Sequence, residues 1–104
     1  MKGKEPFEAL HAEFAGEKAR ALGRIAARME RALADLRAFD AADGDPGALP
    51  EGVSREDLVA IAAELVWFYV VQRDVMGWHR HDDALRFYGV PAEVLGRMGP
   101  RRRG

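Results

Sequence analysis

Large apolar residues recur at spacings built from threes and fours through the first part of the chain: Phe7, Leu10, Phe14, Leu22, Ile25, Met29, Leu33, Leu36 and Phe39. No proline follows Pro6 in this stretch and alanine dominates it, so the pattern predicts one long amphipathic helix over 5–42. At 1.5 Å per residue such a helix runs about 50 Å. The Pro/Gly-rich, acidic stretch 43–53 has little to bury and reads as a flexible loop. A second helix is predicted over 54–76, with Ser54 as its cap, Glu56 and Asp57 in its first turn, and Gly77 as its stop. The run Val66, Trp67, Phe68, Tyr69, Val70, Val71 also permits a strand, but no other segment offers a pairing partner. Two short helices follow within 82–98. The first ends at Gly89, and the second has Pro91 in its opening turn and Gly99-Pro100 as its stop. The basic tail 99–104 is expected to fray.

The fold class expected is all-α, with 1–104 as a single helical domain. It is a long helical hairpin closed by two short C-terminal helices that bring Trp78, Phe87, Tyr88 and Val90 against it. On a helical wheel the first helix has an apolar sector, a neighbouring sector with Arg20, Arg24, Arg28 and Arg31, and a small-residue sector of Ala12, Gly16, Ala19, Gly23 and Ala27. Each interior glycine costs a helix roughly 1 kcal/mol relative to alanine. Either another helix backbone approaches closely there, or an Ala/Gly-rich composition has drifted into the pattern, which Glu30 interrupts.

The second helix is apolar on every side: Leu58, Ile61, Leu65, Phe68, Tyr69 and Met76 on one, Val59, Ala63, Val66, Trp67 and Val70 on the other. Such a helix needs cover all round, and one long and two short helices supply too little of it. The expectation is therefore a homodimer, assembled as a dimeric helical bundle whose interface includes Gly16, Gly23, Val66, Trp67 and Val70. Glu64 is the only charged residue between Asp57 and Arg73. Buried among apolar neighbours it needs a partner, and Arg24 or Arg28 lies at a suitable height for a buried ion pair. The alternative is that Glu64 shares a narrow solvent-facing stripe with Asp57 and Val71.

Composition narrows the chemistry. The net charge is −1, with 16 Lys+Arg against 17 Asp+Glu, so no overall basic field draws nucleic acid or an anionic membrane. There is no Cys, Thr or Asn, with one Ser and one Gln, so few nucleophiles exist and an enzyme is not expected. The longest apolar run, Leu58–Val71, contains Glu64 and falls short of the roughly 20 residues that span a bilayer. The N-terminal sequence carries charges where a signal peptide has its apolar core, so a cytoplasmic protein with no membrane partner is expected.

His79 and His81, beside Asp82 and Asp83, form the best metal-ligand cluster, but Arg80 between them repels a cation. Asp40, Asp43 and Asp45 lack the register of a calcium loop. No metal and no cofactor are therefore expected. The stretch Ala84–Leu95 has the central Gly89 of a helix-turn-helix. Its second helix, however, carries Glu93 and almost nothing that reads bases.

The stretch LVWFYVVQRDVMGWHRHDDALRFYGVPAEVLGRMG, together with EFAGEKARALGRIAARMERALADLRAFD, resembles a family of small, uncharacterised, all-helical alphaproteobacterial proteins, a domain of unknown function. The resemblance implies no activity and no catalytic residue. The function expected is that of a non-catalytic homo-oligomeric helical interaction or scaffolding protein, with a second copy and an unidentified protein as partners. The alternative is a small DNA-associated regulator using the C-terminal helices and the Arg tail, although nucleic acid is not the expected partner.

Overall fold

The computed structural model describes residues 6–45, 47 and 49–98, with side chains from residue 16 onward. Four helices follow in order: α1 Pro6–Ala41, α2 Arg55–Val75, α3 Asp82–Phe87 and α4 Ala92–Arg97. The aromatic, β-branched run is helical, and no strand occurs among the described residues. The basic tail lies outside them.

Local signals set the helix ends. Ser54 caps α2 through a capping box with Asp57. The Asp57 N–H donates to Ser54 Oγ (3.2 Å), and the Ser54 N–H donates back to Asp57 Oδ2 (2.8 Å). At its other end Gly77 adopts φ 87°. The Gly77 N–H donates to the Asp74 carbonyl and the Trp78 N–H to the Arg73 carbonyl, both at 2.9 Å. This left-handed reversal satisfies carbonyls that the helix would leave unpaired, and glycine adopts it without strain. At the end of α1 the same arrangement uses Asp43, the non-glycine residue with positive φ (60°), and the Gly44 N–H donates to the Phe39 carbonyl. The cap position of α3 is His81, without a side-chain capping bond. Asp82 and Asp83 sit in its first turn.

The helices α1 and α2 pack as an antiparallel pair. From α1, Ala26, Met29, Ala32, Leu33 and Leu36 form the buried stripe at helical spacing; from α2, Val59, Ala62, Ala63, Leu65, Val66 and Tyr69 face it. Ala32, Ala62 and Ala63 let the backbones approach, while Met29 and Val66 are wholly buried between them. The chain then doubles back along α2. Tyr88 sets its ring edge-on against Tyr69 (centroids 5.5 Å, 81°), and Val94 of α4 is driven fully into the core. Of the four residues expected to dock here, Tyr88 and Val90 pack against the core, whereas Trp78 and Phe87 stay exposed. Phe87 is 81% exposed because it ends a one-and-a-half-turn helix whose inner side is taken by Ala84 and Leu85. The molecule is elongated, 60 × 29 × 24 Å with a radius of gyration of 17.5 Å, against about 13 Å for a spherical chain of this size.

A single guanidinium ties three helices together. Arg55, the first residue of α2, donates from Nε and Nη2 to the two oxygens of Asp40 near the end of α1 (2.8 and 2.9 Å). The same group donates from Nη1 and Nη2 to Glu93 in the first turn of α4 (2.9 and 3.0 Å). Arg97 of α4 pairs with Glu56 beside it. Hydrogen bonds from Arg55 hold the carboxyls of Asp40 and Glu93 below their ordinary 3.8 and 4.5.

Two predictions follow from the packing and this junction. Leu33→Ala should cost about 2–5 kcal/mol by chemical denaturation, since the cavity opens at the centre of the helix pair. Phe87→Ala should stay within about 0.5 kcal/mol. For the junction, a carboxyl with a depressed folded value contributes stability that is present above its unfolded value and is lost as pH falls through the folded one. Arg55→Met should therefore lower the melting temperature at neutral pH. The gap from wild type should narrow as pH falls below the ordinary carboxylate range and the two carboxyls take up protons. A gap that is unchanged in acid would mean that Arg55 acts through packing of its stem instead.

Candidate functional site

Two places gather side chains with unusual surroundings: the end of α2 and its outer face. At the end of α2, Asp74 Oδ1 meets His79 Nδ1 at 3.1 Å and His81 Nε2 at 3.0 Å. Hydrogen bonds from the two imidazoles, His79 first, hold the Asp74 carboxyl below the usual carboxylate range. Arg73 Nε donates to His81 Nδ1 (3.1 Å), which assigns the His81 proton to Nε2. Arg73 Nη2 donates to the Arg80 carbonyl (2.8 Å), and the guanidinium lies over the rings of Trp78 and Tyr69 at 5.4 and 5.8 Å.

These bonds fasten the connector 77–81 onto the last turn of α2, and they spend both ring nitrogens of His81. Among the described residues no group of three or more His, Asp or Glu is placed to hold a metal ion. Asp40, one of the three loop aspartates weighed as calcium ligands, is engaged by Arg55.

Among the described residues no nucleophile is paired with a base at either place. Ser54, the one serine, spends its hydroxyl on the capping box. Tyr88 has its phenol pushed up, first by burial and then by the adjacent Tyr69, which makes it a poorer proton donor. Glu17 is paired with Arg20 one turn along α1.

The outer face of α2 is where the surface departs from an ordinary one. Ile61, Phe68, Val71 and Val75 are 49, 47, 38 and 55% exposed, and they fall in one sector of the helix with Asp57 and Glu64. Where α1 flanks this sector, a shallow groove of about 210 Å³ opens. Its floor is Leu58, Ile61 and Leu65, and its rim is Arg28, Arg31 and Asp35. Among the described residues no helix is long and apolar enough to cross a membrane.

The three residues expected to form a buried ion pair are placed differently from expectation. Glu64 is exposed, as are Arg24 and Arg28 on α1, and no ion pair joins them among the described residues. The buried pair fails because α1 covers the opposite side of α2, and Glu64 lies on the solvent-facing stripe with Asp57 and Val71. Val66 and Val70, expected at a dimer interface, are buried inside the chain at 0 and 7% exposure, and Trp67 is half-buried. α2 packs against α1 and α4, a cover that the all-round apolar pattern left unassigned. Gly23 is exposed, and an added Cβ would meet nothing within 4 Å; at Gly16 it would meet only Arg20 Nη1, at 3.7 Å. Among the described residues no helix presses on Gly16 or Gly23.

Sequence reasoning held the outer stripe of Asp57, Glu64 and Val71 as the alternative to a buried Glu64, and did not extend it to Ile61, Phe68 and Val75. It also missed Arg55, whose partners lie 15 and 38 residues away and leave no local signal. The chain is similar to no curated protein and no solved structure. Its sequence matches a family pattern over residues 3–104, nearly the whole chain, and the protein belongs to that family of unknown function, DUF6665.

Proposed function

We propose that this protein is a non-catalytic helical interaction module that works as a homo-oligomer, its unit a homodimer closed through the outer face of α2. The observation that carries the reading is the exposed row Ile61, Phe68, Val71 and Val75, spaced over about four turns of one helix. A row of large apolar side chains left in water on a chain this small marks a contact surface. The face is also self-complementary in charge. It carries Asp57 and Glu64 on α2, and the groove that flanks it is lined on α1 by Arg28, Arg31 and Asp35. A second copy therefore brings each carboxylate a basic neighbour.

The DNA-associated reading has less to stand on. The helix that would enter a groove, α4, is six residues long and packed on α2, and it commits Glu93 to Arg55 and Arg97 to Glu56.

Sedimentation equilibrium at tens of micromolar should give twice the chain mass for the wild type. Phe68→Glu should shift the protein to monomer without loss of helical circular dichroism, since residue 68 lies outside the core. A wild type that sediments as a monomer at these concentrations overturns the proposal.

A further inference from the structure

His79 and His81 bind one carboxylate through opposite ring nitrogens, and the difference sets how each responds to a proton. An ionised carboxylate only accepts. His79, which meets Asp74 Oδ1 through Nδ1 (3.1 Å), therefore carries its proton there, and His81, which meets it through Nε2 (3.0 Å), carries its proton on Nε2. The other nitrogen of His79 has no partner among the described residues, and the side chain is 72% exposed. The other nitrogen of His81 is sheltered and occupied: the side chain is 16% exposed, and Nδ1 accepts from Arg73 Nε at 3.1 Å. His79 can thus take a second proton without losing a contact. His81 cannot, because a protonated Nδ1 has no lone pair left for Arg73 and sets an imidazolium N–H against a guanidinium N–H.

We propose that His81 is a proton-operated latch on the connector 77–81: uptake of a second proton at Nδ1 expels Arg73 while the ring stays on Asp74. The charged and titratable groups around the ring decide which contact gives way. On α2 they are Arg73 and Asp74, in the connector His79 and Arg80, and in the first turn of α3 Asp82 and Asp83, the latter paired with Arg86. Arg73 lies over the Tyr69 ring, and the Tyr88 phenol feels both Arg73 and Glu30 of α1. Asp74 stays ionised wherever imidazoles titrate, since the two rings hold its carboxyl below the ordinary 3.8. Its contact with Nε2 becomes an ion pair on protonation and is kept.

Arg73 is the group that leaves, and it reaches further than His81. Its Nη2 also holds the Arg80 carbonyl (2.8 Å), and its guanidinium covers the Trp78 ring at 5.4 Å. His81 occupies the cap position of α3 without capping it, so the bonds of its ring all run to α2. At neutral pH the connector is fastened to α2 through both Arg73 and Asp74; in acid the ring keeps Asp74 alone, and Trp78 loses its cationic cover.

Nuclear magnetic resonance of the protein between pH 8 and pH 5, the span in which imidazoles change charge, reads each step. At pH 8 His81 should carry its single proton on Nε2. As pH falls, the resonances of the Arg73 guanidinium and the Trp78 indole should shift along the His81 titration curve, in the wild type and in His79→Gln alike. In His81→Asn, whose amide oxygen offers Arg73 an acceptor that takes no proton, they should stay still. A His81 ring with its proton on Nδ1 at pH 8, or one that gains no second proton by pH 5, overturns the proposal. An Arg73 signal that ignores the His81 titration, follows His79 instead, or still shifts in His81→Asn overturns it as well. The wild-type titration decides the matter by itself should His81→Asn fail to fold.

Discussion

Everything in this molecule is arranged around the fact that α2 is apolar on every side while the chain has too few helices to enclose it. The contact that decides the outcome is the one with α1. Met29, Leu33 and Leu36 on α1 fit against Val59, Ala62, Ala63 and Val66, where paired alanines admit the larger side chains without spreading the backbones. That choice of inner side turns Ile61, Phe68, Val71 and Val75 outward, because residues three, four and seven apart share a side and cannot be divided between two. The exposed row is thus a direct consequence of the best available internal packing.

The short C-terminal helices extend that cover instead of building a site of their own. A helix of six residues has almost no independent stability, so α3 and α4 need anchors. Tyr88 against Tyr69 holds one end and Val94 in the core the middle. Glu93 on Arg55 and Arg97 on Glu56 hold the other. Exposed ion pairs are weak one at a time, but Arg55 engages two carboxylates at once with a planar group whose donors are fixed in direction. That fixes where α1 ends, where α2 begins and where α4 lies, so the loop between α1 and α2 can be long and poor in packing without loosening the hairpin.

The sequence made the elements legible and their facing only in part. Helix ends came within a residue or so, 6–41 where 5–42 was expected and 55–75 where 54–76 was expected, because caps are local. Ser54 with Asp57 and Gly77 each act within a few residues of themselves. The inward side of α1 was equally plain, its apolar and arginine sectors being distinct. On α2 the same reasoning had no contrast to work with: Val66 and Phe68 are chemically alike on a wheel, yet one is fully buried and the other half exposed. Only Asp57, Glu64 and the alanine pair distinguish the two sides, and the sequence left Glu64 open between a buried pair and a solvent-facing stripe. Arg55 was illegible for a different reason, since its role depends on three chain segments meeting at one point.

Glu64 also bears on why an exposed apolar row of this kind is tolerable. A face made only of Ile61, Phe68, Val71 and Val75 attracts any apolar surface in any register, and helices are free to slide along one another. A carboxylate in the middle of the row charges every misaligned contact with an unpaired, partly desolvated ion. The cost is relieved only where a basic group stands at a matching height. Discrimination of this kind comes from penalising wrong partners as much as from rewarding the right one. Arg28 and Arg31 on the neighbouring helix supply basic groups at the groove beside this row.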